Sequence, residues 1–257
     1  MRQETEKVIE IAKEAGKMAM KYFEQLKDHH ISTKEDGSVL TIADTEIDAY
    51  IRSELEKAFP EHSVLSEESE NIKTTEGVWI IDPIDGTKNF ANGNPNFGIS
   101  IGLAINNKPE IGVVYGPAQN KLYVGEVGTG ATLNGEPIYI SNTKELKGAK
   151  ILIDKGTKEL TLKIHGAIKT AVEKSGAIVE AWSCACLELC AVASGNYDAC
   201  VHKGLNAWDI VAGIAILESA GGVVFHFDGT EKNIFEPGIV ATNKNLKDKI
   251  IAITKNI

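Results

Sequence analysis

The sequence predicts an α+β half joined to an α/β half, and a change of rhythm along the chain carries that prediction. From Ser63 onward, strand-like runs follow one another with only turn signals between them. From about residue 145, short apolar runs alternate with helical stretches, the pattern of an α/β unit. No Pro/Gly/Ser linker, internal repeat or low-complexity tract divides the two. The halves, 1–145 and 146–257, are therefore expected to pack as one unit.

The elements follow in order. Val8, Ala12, Ala15, Ala19, Tyr22 and Leu26 recur at three- and four-residue spacing, one face of a long helix. The polar stretch 29–38 leads to Thr41, an N-cap for a helix over 42–59 that Pro60 ends. Strands are expected over 63–66, 78–81, 111–115, 122–127 and 137–140, with Asn106-Asn107, Gly116-Pro117 and Asn134-Gly135 as turns. Ile99, Ile101, Leu103 and Ile105 alternate with small residues, as in a strand packed closely on its second face. In the second half, strands at 151–153, 178–181, 199–201, 222–225 and 239–241 alternate with helices near 158–174, 184–194, 208–219 and 244–255.

Composition narrows the function. At 257 residues, 43% hydrophobic and 25% charged, the chain reads as an ordinary soluble globular protein. No apolar run reaches the roughly 18 residues a membrane span needs. The N-terminus opens directly into an amphipathic pattern, so the expected address is cytoplasmic. A net charge of −9 without a basic cluster argues against a nucleic-acid surface and suits a site for divalent cations. Cys184, Cys186, Cys190 and Cys200 lack zinc-site spacing or nearby histidines, and are expected to be reduced core thiols.

The most informative stretch is Trp79-Ile80-Ile81-Asp82-Pro83-Ile84-Asp85-Gly86-Thr87-Lys88-Asn89-Phe90. A continuous apolar run, as a doubly buried strand requires, delivers Asp82 and Asp85 at its carboxyl end. Gly86 and Thr87 follow, small residues whose amides can approach an anion. Carboxylates beside an anion site suggest metal ions held against a phosphate. Further acids stand at Glu67-Glu68 after a strand, at Asp209 where a helix begins, and at Asp44 in a possible capping box. Each of these has an ordinary structural explanation when taken alone.

Together they resemble the inositol monophosphatase family, part of the lithium-sensitive, metal-dependent phosphatases. The anchors are Glu67-Glu68-Ser69, the run from Trp79 to Phe90, and Trp208-Asp209-Ile210-Val211-Ala212-Gly213 continuing to Glu218-Ser219-Ala220-Gly221-Gly222. The resemblance covers nearly the whole chain. It implies a layered α-β-α-β-α sandwich of the sugar phosphatase type and a homodimer. It also implies a phosphomonoesterase using two or three Mg²⁺ ions, with Mn²⁺ able to substitute. Glu67, Asp82, Asp85, Asp209 and the Ile84 carbonyl would be metal ligands. Glu67 and Thr87 would hold a metal-bound water, Asp44 would orient the Thr87 hydroxyl, and the amides of Gly86 and Thr87 would cradle the phosphate.

The sequence departs from inositol-selective members where they carry a substrate-contacting Glu, seven residues before the last metal Asp. Here that position is His202, followed by Lys203, which suits a second phosphate. The helix opening around Cys186 also differs from theirs. These three positions are the expected substrate selectors. Inositol-1-phosphate or a related polyol phosphate is the first expected substrate and fructose-1,6-bisphosphate the second. Asp85-Gly86-Thr87-Lys88 is also similar to the 3′(2′),5′-bisphosphate nucleotidase branch. A regulatory protein that keeps the fold without catalysis is the rival from another class. His29-His30, His62, His165 and His226 lack ligand spacing, Gly128-Thr129-Gly130 reads as a hairpin, and no P-loop is present.

Overall fold

The structure, a computed structural model, describes residues 2–25, 31–33, 39–69, 76–154, 159–255 and 257. The elements run α1 (Gln3–Glu24), β1 (Ile31–Thr33), β2 (Val39–Thr41), α2 (Ile42–Ala58), β3 (Ser63–Ser66), β4 (Gly77–Asp85), α3 (Thr87–Ala91), β5 (Gly98–Ile105), β6 (Lys108–Gly116), β7 (Lys121–Glu126), β8 (Gly130–Leu133) and β9 (Glu136–Pro137). The second half continues with β10 (Lys150–Ile153), α4 (Glu159–Lys174), β11 (Ile178–Glu180), α5 (Ala185–Ala193), β12 (Ala199–His202), α6 (Ala207–Ser219), β13 (Val223–Phe225), β14 (Ile239–Thr242) and α7 (Lys247–Thr254). Sheet order is β3-β4-β5-β6-β7-β8-β9 in the first half and β11-β10-β12-β14-β13 in the second, with β1 and β2 forming a separate hairpin.

Three hydrophobic clusters make the layers. Val8, Ile11, Ala15, Ile47 and Ile51 of α1 and α2 pack on one face of the seven-stranded sheet, through Trp79, Ile81, Ile99 and Val113. Leu187, Leu189, Ile210, Val211 and Ile214 of α5 and α6 fill the space between the sheets, meeting Ile80 and Val114 on one side and Leu152, Cys200 and Ala241 on the other. Ile168, Val172 and Ile250 of α4 and α7 cover the outer face of the second sheet. The result is the expected α-β-α-β-α sandwich. In β4, Trp79 and Ile81 enter one cluster and Ile80 the other, which is why that strand reads as unbroken apolar sequence.

One packing device ties the middle helices to the first sheet. Gly102, Gly112 and Gly125 pair in register across β5, β6 and β7. A Cβ on Gly112 would stand 2.1 Å from the Ala212 carbonyl oxygen, and one on Gly125 would stand 2.5 Å from Ile216 Cα. The glycine row is a smooth track on which α6 lies directly. These are the small residues that the alternating pattern at Ile99 to Ile105 anticipates, continued onto two neighbouring strands.

Two expectations need adjusting. The short strand β1 lies in the polar stretch 29–38 and pairs with β2 just after it, so Thr41 ends a strand immediately before the helix begins. The strand expected over 137–140 is reduced to Glu136–Pro137. Ile138 still donates to the Ala131 carbonyl, but Ile140 donates to Ala220 at the end of α6, drawing the chain away from the sheet. Leu26 and His29-His30 lie outside the described residues.

Candidate active site

In a regular strand, residues three apart face opposite sides. Asp82 pairs with Ser100 and Asp85 with Gly98, so β4 spends one more residue than β5 between those pairs. That bulge, at Pro83, re-aims the strand end. Asp82 and Asp85 thereby bring carboxylate oxygens within 4.8 Å of each other and of Asp209, which arrives from the first turn of α6. Ile84 donates its amide to Asp82 Oδ1 at 3.1 Å, fixing that side chain. Asp209 Oδ2 accepts the Asn206 amide at 2.6 Å, half of a reciprocal capping box. One carboxylate thus caps the helix and joins the acidic cluster.

Helix α2 organises the opposite wall. Buried Asp44 accepts the Thr87 hydroxyl at 3.4 Å, and the same hydroxyl reaches the Ile84 carbonyl at 3.0 Å. One turn on, Asp48 accepts the Ser66 hydroxyl, and Arg52 donates to the Ser69 hydroxyl. These two contacts hold the loop bearing Glu67, whose amide donates to Ile81 O at 3.3 Å. Glu67 lies close enough to raise the carboxyl groups of both Asp82 and Asp209 electrostatically.

Gly86 adopts a left-handed conformation, φ 85°, at the head of the short helix α3. A Cβ there would meet the Asn96 carbonyl oxygen at 2.9 Å. Asn89 then donates to the carbonyls of Asn96 at 2.7 Å and Trp182 at 2.8 Å, locking this corner to the loop before α5.

Electrostatically, the site is strained as protein alone. Burial first, and then Glu67, Asp85 and Asp209, push the Asp82 carboxyl well above its usual range. Burial and Asp85 do the same to Asp209. Asp85 is also raised by burial, while the Cys186 amide, donating to Oδ2 at 2.6 Å, offsets part of the effect. Crowded oxygen donors of this kind fit a hard divalent cation, which removes the repulsion by binding.

Of the expected substrate selectors, two are buried and one is half-buried. His202 is 3% exposed, and its Nε2 lies 2.5 Å from Glu188 Oε2. Glu188 is wholly buried in α5, and its other oxygen accepts the amides of Trp182 at 2.7 Å and Ser183 at 3.1 Å. A buried carboxylate thus engages the His202 ring, which lies close enough to Asp209 to act on its carboxyl electrostatically. Cys186 is likewise enclosed, its thiol 3.8 Å from that of Cys184. Lys203 is half-buried, its ammonium 5.1 Å from the Phe227 ring centroid. His165, discounted from sequence, accepts the Lys203 amide at 2.7 Å.

Sequence reasoning passed over Glu188 and Asn89. A lone acid in the otherwise apolar run of α5 was the available signal for Glu188. Burial itself lowers the His202 imidazole, but Cys200 and Glu188 outweigh it and hold the ring well above its ordinary range. A raised folded value means that the pair's contribution is complete below about pH 6.5, the unfolded value, and fades as pH rises through the folded one. Glu188→Ala leaves the ring uncompensated and should cost about 3–5 kcal/mol in thermal unfolding at neutral pH. An unchanged melting temperature would contradict this account of the pair.

Comparison with known proteins agrees with this architecture. The inositol monophosphatase family profile matches residues 1–257. The chain belongs to the inositol monophosphatase family. It is 36% identical over 252 residues to inositol monophosphatase 3 of Solanum lycopersicum, covering 95% of this chain and 93% of the relative. It is 33% identical over 219 residues to a fructose-1,6-bisphosphatase/inositol-1-monophosphatase of Thermotoga maritima, covering 85% and 83%. The crystal structure of extragenic suppressor protein suhB from Bartonella henselae superposes with a TM-score of 0.91 at 29% identity, covering 97% of each chain. The family is one of phosphomonoesterases, so the acidic cluster lies in a metal-dependent phosphatase fold.

Proposed function

We propose that the chain is a Mg²⁺-dependent phosphomonoesterase acting on inositol-1-phosphate or a related polyol phosphate. The observation that carries this reading is the convergence of Asp82, Asp85 and Asp209, from two distant segments, within 4.8 Å of one another. The ions would be held by these three side chains, by Glu67 and by the Ile84 carbonyl. When bound, Mg²⁺ lowers the pKa of a water and neutralises charge on the phosphoryl oxygens.

The chain's own groups do the positioning. The Thr87 hydroxyl, in reach of both Asp44 and the Ile84 carbonyl, would give its hydrogen to Asp44 once that carbonyl holds an ion, and with Glu67 would orient the attacking water. The amides of Gly86 and Thr87, presented by the left-handed corner, receive the phosphoryl oxygens. The halves 1–145 and 146–257 divide this labour, the second contributing Asp209 and the loop at Lys203. By family analogy the protein is a cytoplasmic, lithium-sensitive homodimer. Among the described residues no helix is long and apolar enough to cross a membrane.

Lys203, one residue past β12, is the cation that would meet a second phosphate, which keeps fructose-1,6-bisphosphate as the second substrate. Lys88 is the feature shared with the nucleotidase branch. A regulatory, non-catalytic reading follows from the likeness to the suppressor protein suhB, but this chain carries every expected acidic metal ligand, Glu67, Asp82, Asp85 and Asp209. Phosphate release over a panel of inositol-1-phosphate, fructose-1,6-bisphosphate and nucleotide bisphosphates, with Mg²⁺, tests all four readings. Turnover of the first is expected; turnover confined to nucleotide bisphosphates, or none at all, would overturn the assignment. Lys203→Met should depress bisphosphate turnover about tenfold while sparing monophosphates, the loss expected when a charge-assisted contact worth about 1.4 kcal/mol is removed.

A further inference from the structure

We propose that Asp85, Cys184 and Cys186 form a binding site for a thiophilic divalent cation, of the chemistry of Zn²⁺ or Cd²⁺, on the underside of the carboxylate cluster. The two thiols belong to the start of α5, and Asp85 comes from β4, 99 positions away from Cys184. Cys184 Sγ lies 3.8 Å from Cys186 Sγ and 3.5 Å from Asp85 Oδ2. A tetrahedral cation with sulfur at about 2.3 Å and carboxylate oxygen at about 2.0 Å sets sulfurs about 3.8 Å apart and sulfur and oxygen about 3.5 Å apart. Both separations made by Cys184 match those values, and all three donor atoms lie within 4.8 Å of one another.

The arrangement is held firmly. Cys186 donates its amide to Oδ2 at 2.6 Å, so the carboxylate cannot swing away from the sulfurs. All three residues are buried. Both thiols carry their protons at neutral pH, the ordinary state of a free cysteine. Binding a divalent cation would release both thiol protons to solvent. Two protons leave as two positive charges arrive, so the exchange adds no net charge beside Glu67, Asp82 and Asp209. Ligand softness separates this site from the oxygen-lined face of the cluster, since thiolates select Zn²⁺ and Cd²⁺ while carboxylates suit Mg²⁺. Spacing alone could not reveal it: C-x-C is not a zinc signature, and the third donor is supplied by the fold.

The functional consequence, unlike the site itself, rests on the proposed phosphatase activity. Two dications on one carboxylate repel, so filling the sulfur side weakens Mg²⁺ on the other and makes the soft ion an inhibitor.

Titration of the reduced full-length chain with Cd²⁺, in excess Mg²⁺, tests the site through the ultraviolet thiolate-to-cadmium band and needs no activity measurement. One saturating ion per chain with two-thiolate intensity is expected. The double variant Cys184→Ser, Cys186→Ser should lose the band. Cys200→Ser, which breaks the separate single-thiol group of Glu188, Cys200 and His202, should keep it. Cys186→Ser alone, a milder change to the core, should weaken Cd²⁺ binding at least tenfold. Absence of the band in the unaltered protein, its survival in the double variant, or unchanged affinity in Cys186→Ser would each overturn the proposal.

Discussion

Asp82→Asn should abolish phosphate release and, at the same time, make the metal-free protein more stable. Asn keeps an oxygen to accept the Ile84 amide, so the corner's geometry survives. What disappears is one of the buried negative charges that repel each other across less than 4.8 Å. Loss of a charged metal ligand is expected to lower turnover by on the order of 10³-fold or more. A gain of about 1 kcal/mol without metal would read as a melting temperature about 2–4 °C higher for a chain of this size.

The same physics gives a pH dependence. Burial, followed by the neighbouring carboxylates, raises Asp82 and Asp209 in the folded state. A raised acid binds more protons folded than unfolded, so metal-free stability falls as pH climbs from about 4 through the folded value. Chelating the metal should therefore destabilise the unaltered protein more at pH 8 than at pH 5, and Asp82→Asn should flatten that difference. Asp85→Asn should be equally inactive but gain less stability, because the Cys186 amide already offsets part of the Asp85 charge. A lowered melting temperature in Asp82→Asn, with activity retained, would contradict the account of this cluster.

Gly112→Ala should be the most damaging single methyl in the molecule. Its Cβ would sit 2.1 Å from a backbone oxygen of α6, a contact that no rotamer change can relieve. Overpacking of this kind costs about 3 kcal/mol where the backbone must shift, equivalent to about 6–12 °C in melting temperature. Helix α6 begins two residues before Asp209, so the displacement that accommodates the methyl also moves a cluster carboxylate. Activity is therefore expected to fall more steeply than stability, and weaker activation by Mg²⁺ should precede unfolding. By contrast, Gly128→Ala, at an open turn where nothing lies within 4 Å of a new Cβ, leaves the helix untouched and should affect only the local turn. If Gly112→Ala unfolds like the parent and hydrolyses substrate normally, α6 does not ride on the glycine track.

These contrasts also show what the sequence could and could not announce. The long helices were legible because each presents one periodic face to a single layer, as Val8, Ala12, Ala15 and Ala19 do in α1, and β4 because burial on both faces leaves an unbroken apolar run. The acidic cluster was legible because Asp82 and Asp85 sit in an unusual local context that nothing but chemistry explains. The surroundings of His202 and Cys186 were not, since what a side chain faces depends on residues far away in sequence. His202 reads as a residue replacing a sugar-binding acid, and nothing in the sequence signals that Glu188, 14 positions earlier, engages its ring. The extent of β9 escaped for a related reason: Ile140 finds a better partner at the end of α6 than in the sheet.

The central claim is that the oxygens of Asp82, Asp85, Asp209 and Glu67 gather to hold hard divalent cations against a phosphate. Anomalous diffraction from a crystal soaked with Mn²⁺ and inorganic phosphate tests this most directly. The account predicts manganese peaks bounded by those four side chains, with phosphate density against the Gly86 and Thr87 amides. Manganese found only elsewhere on the molecule, with the four carboxylates unliganded, would contradict it.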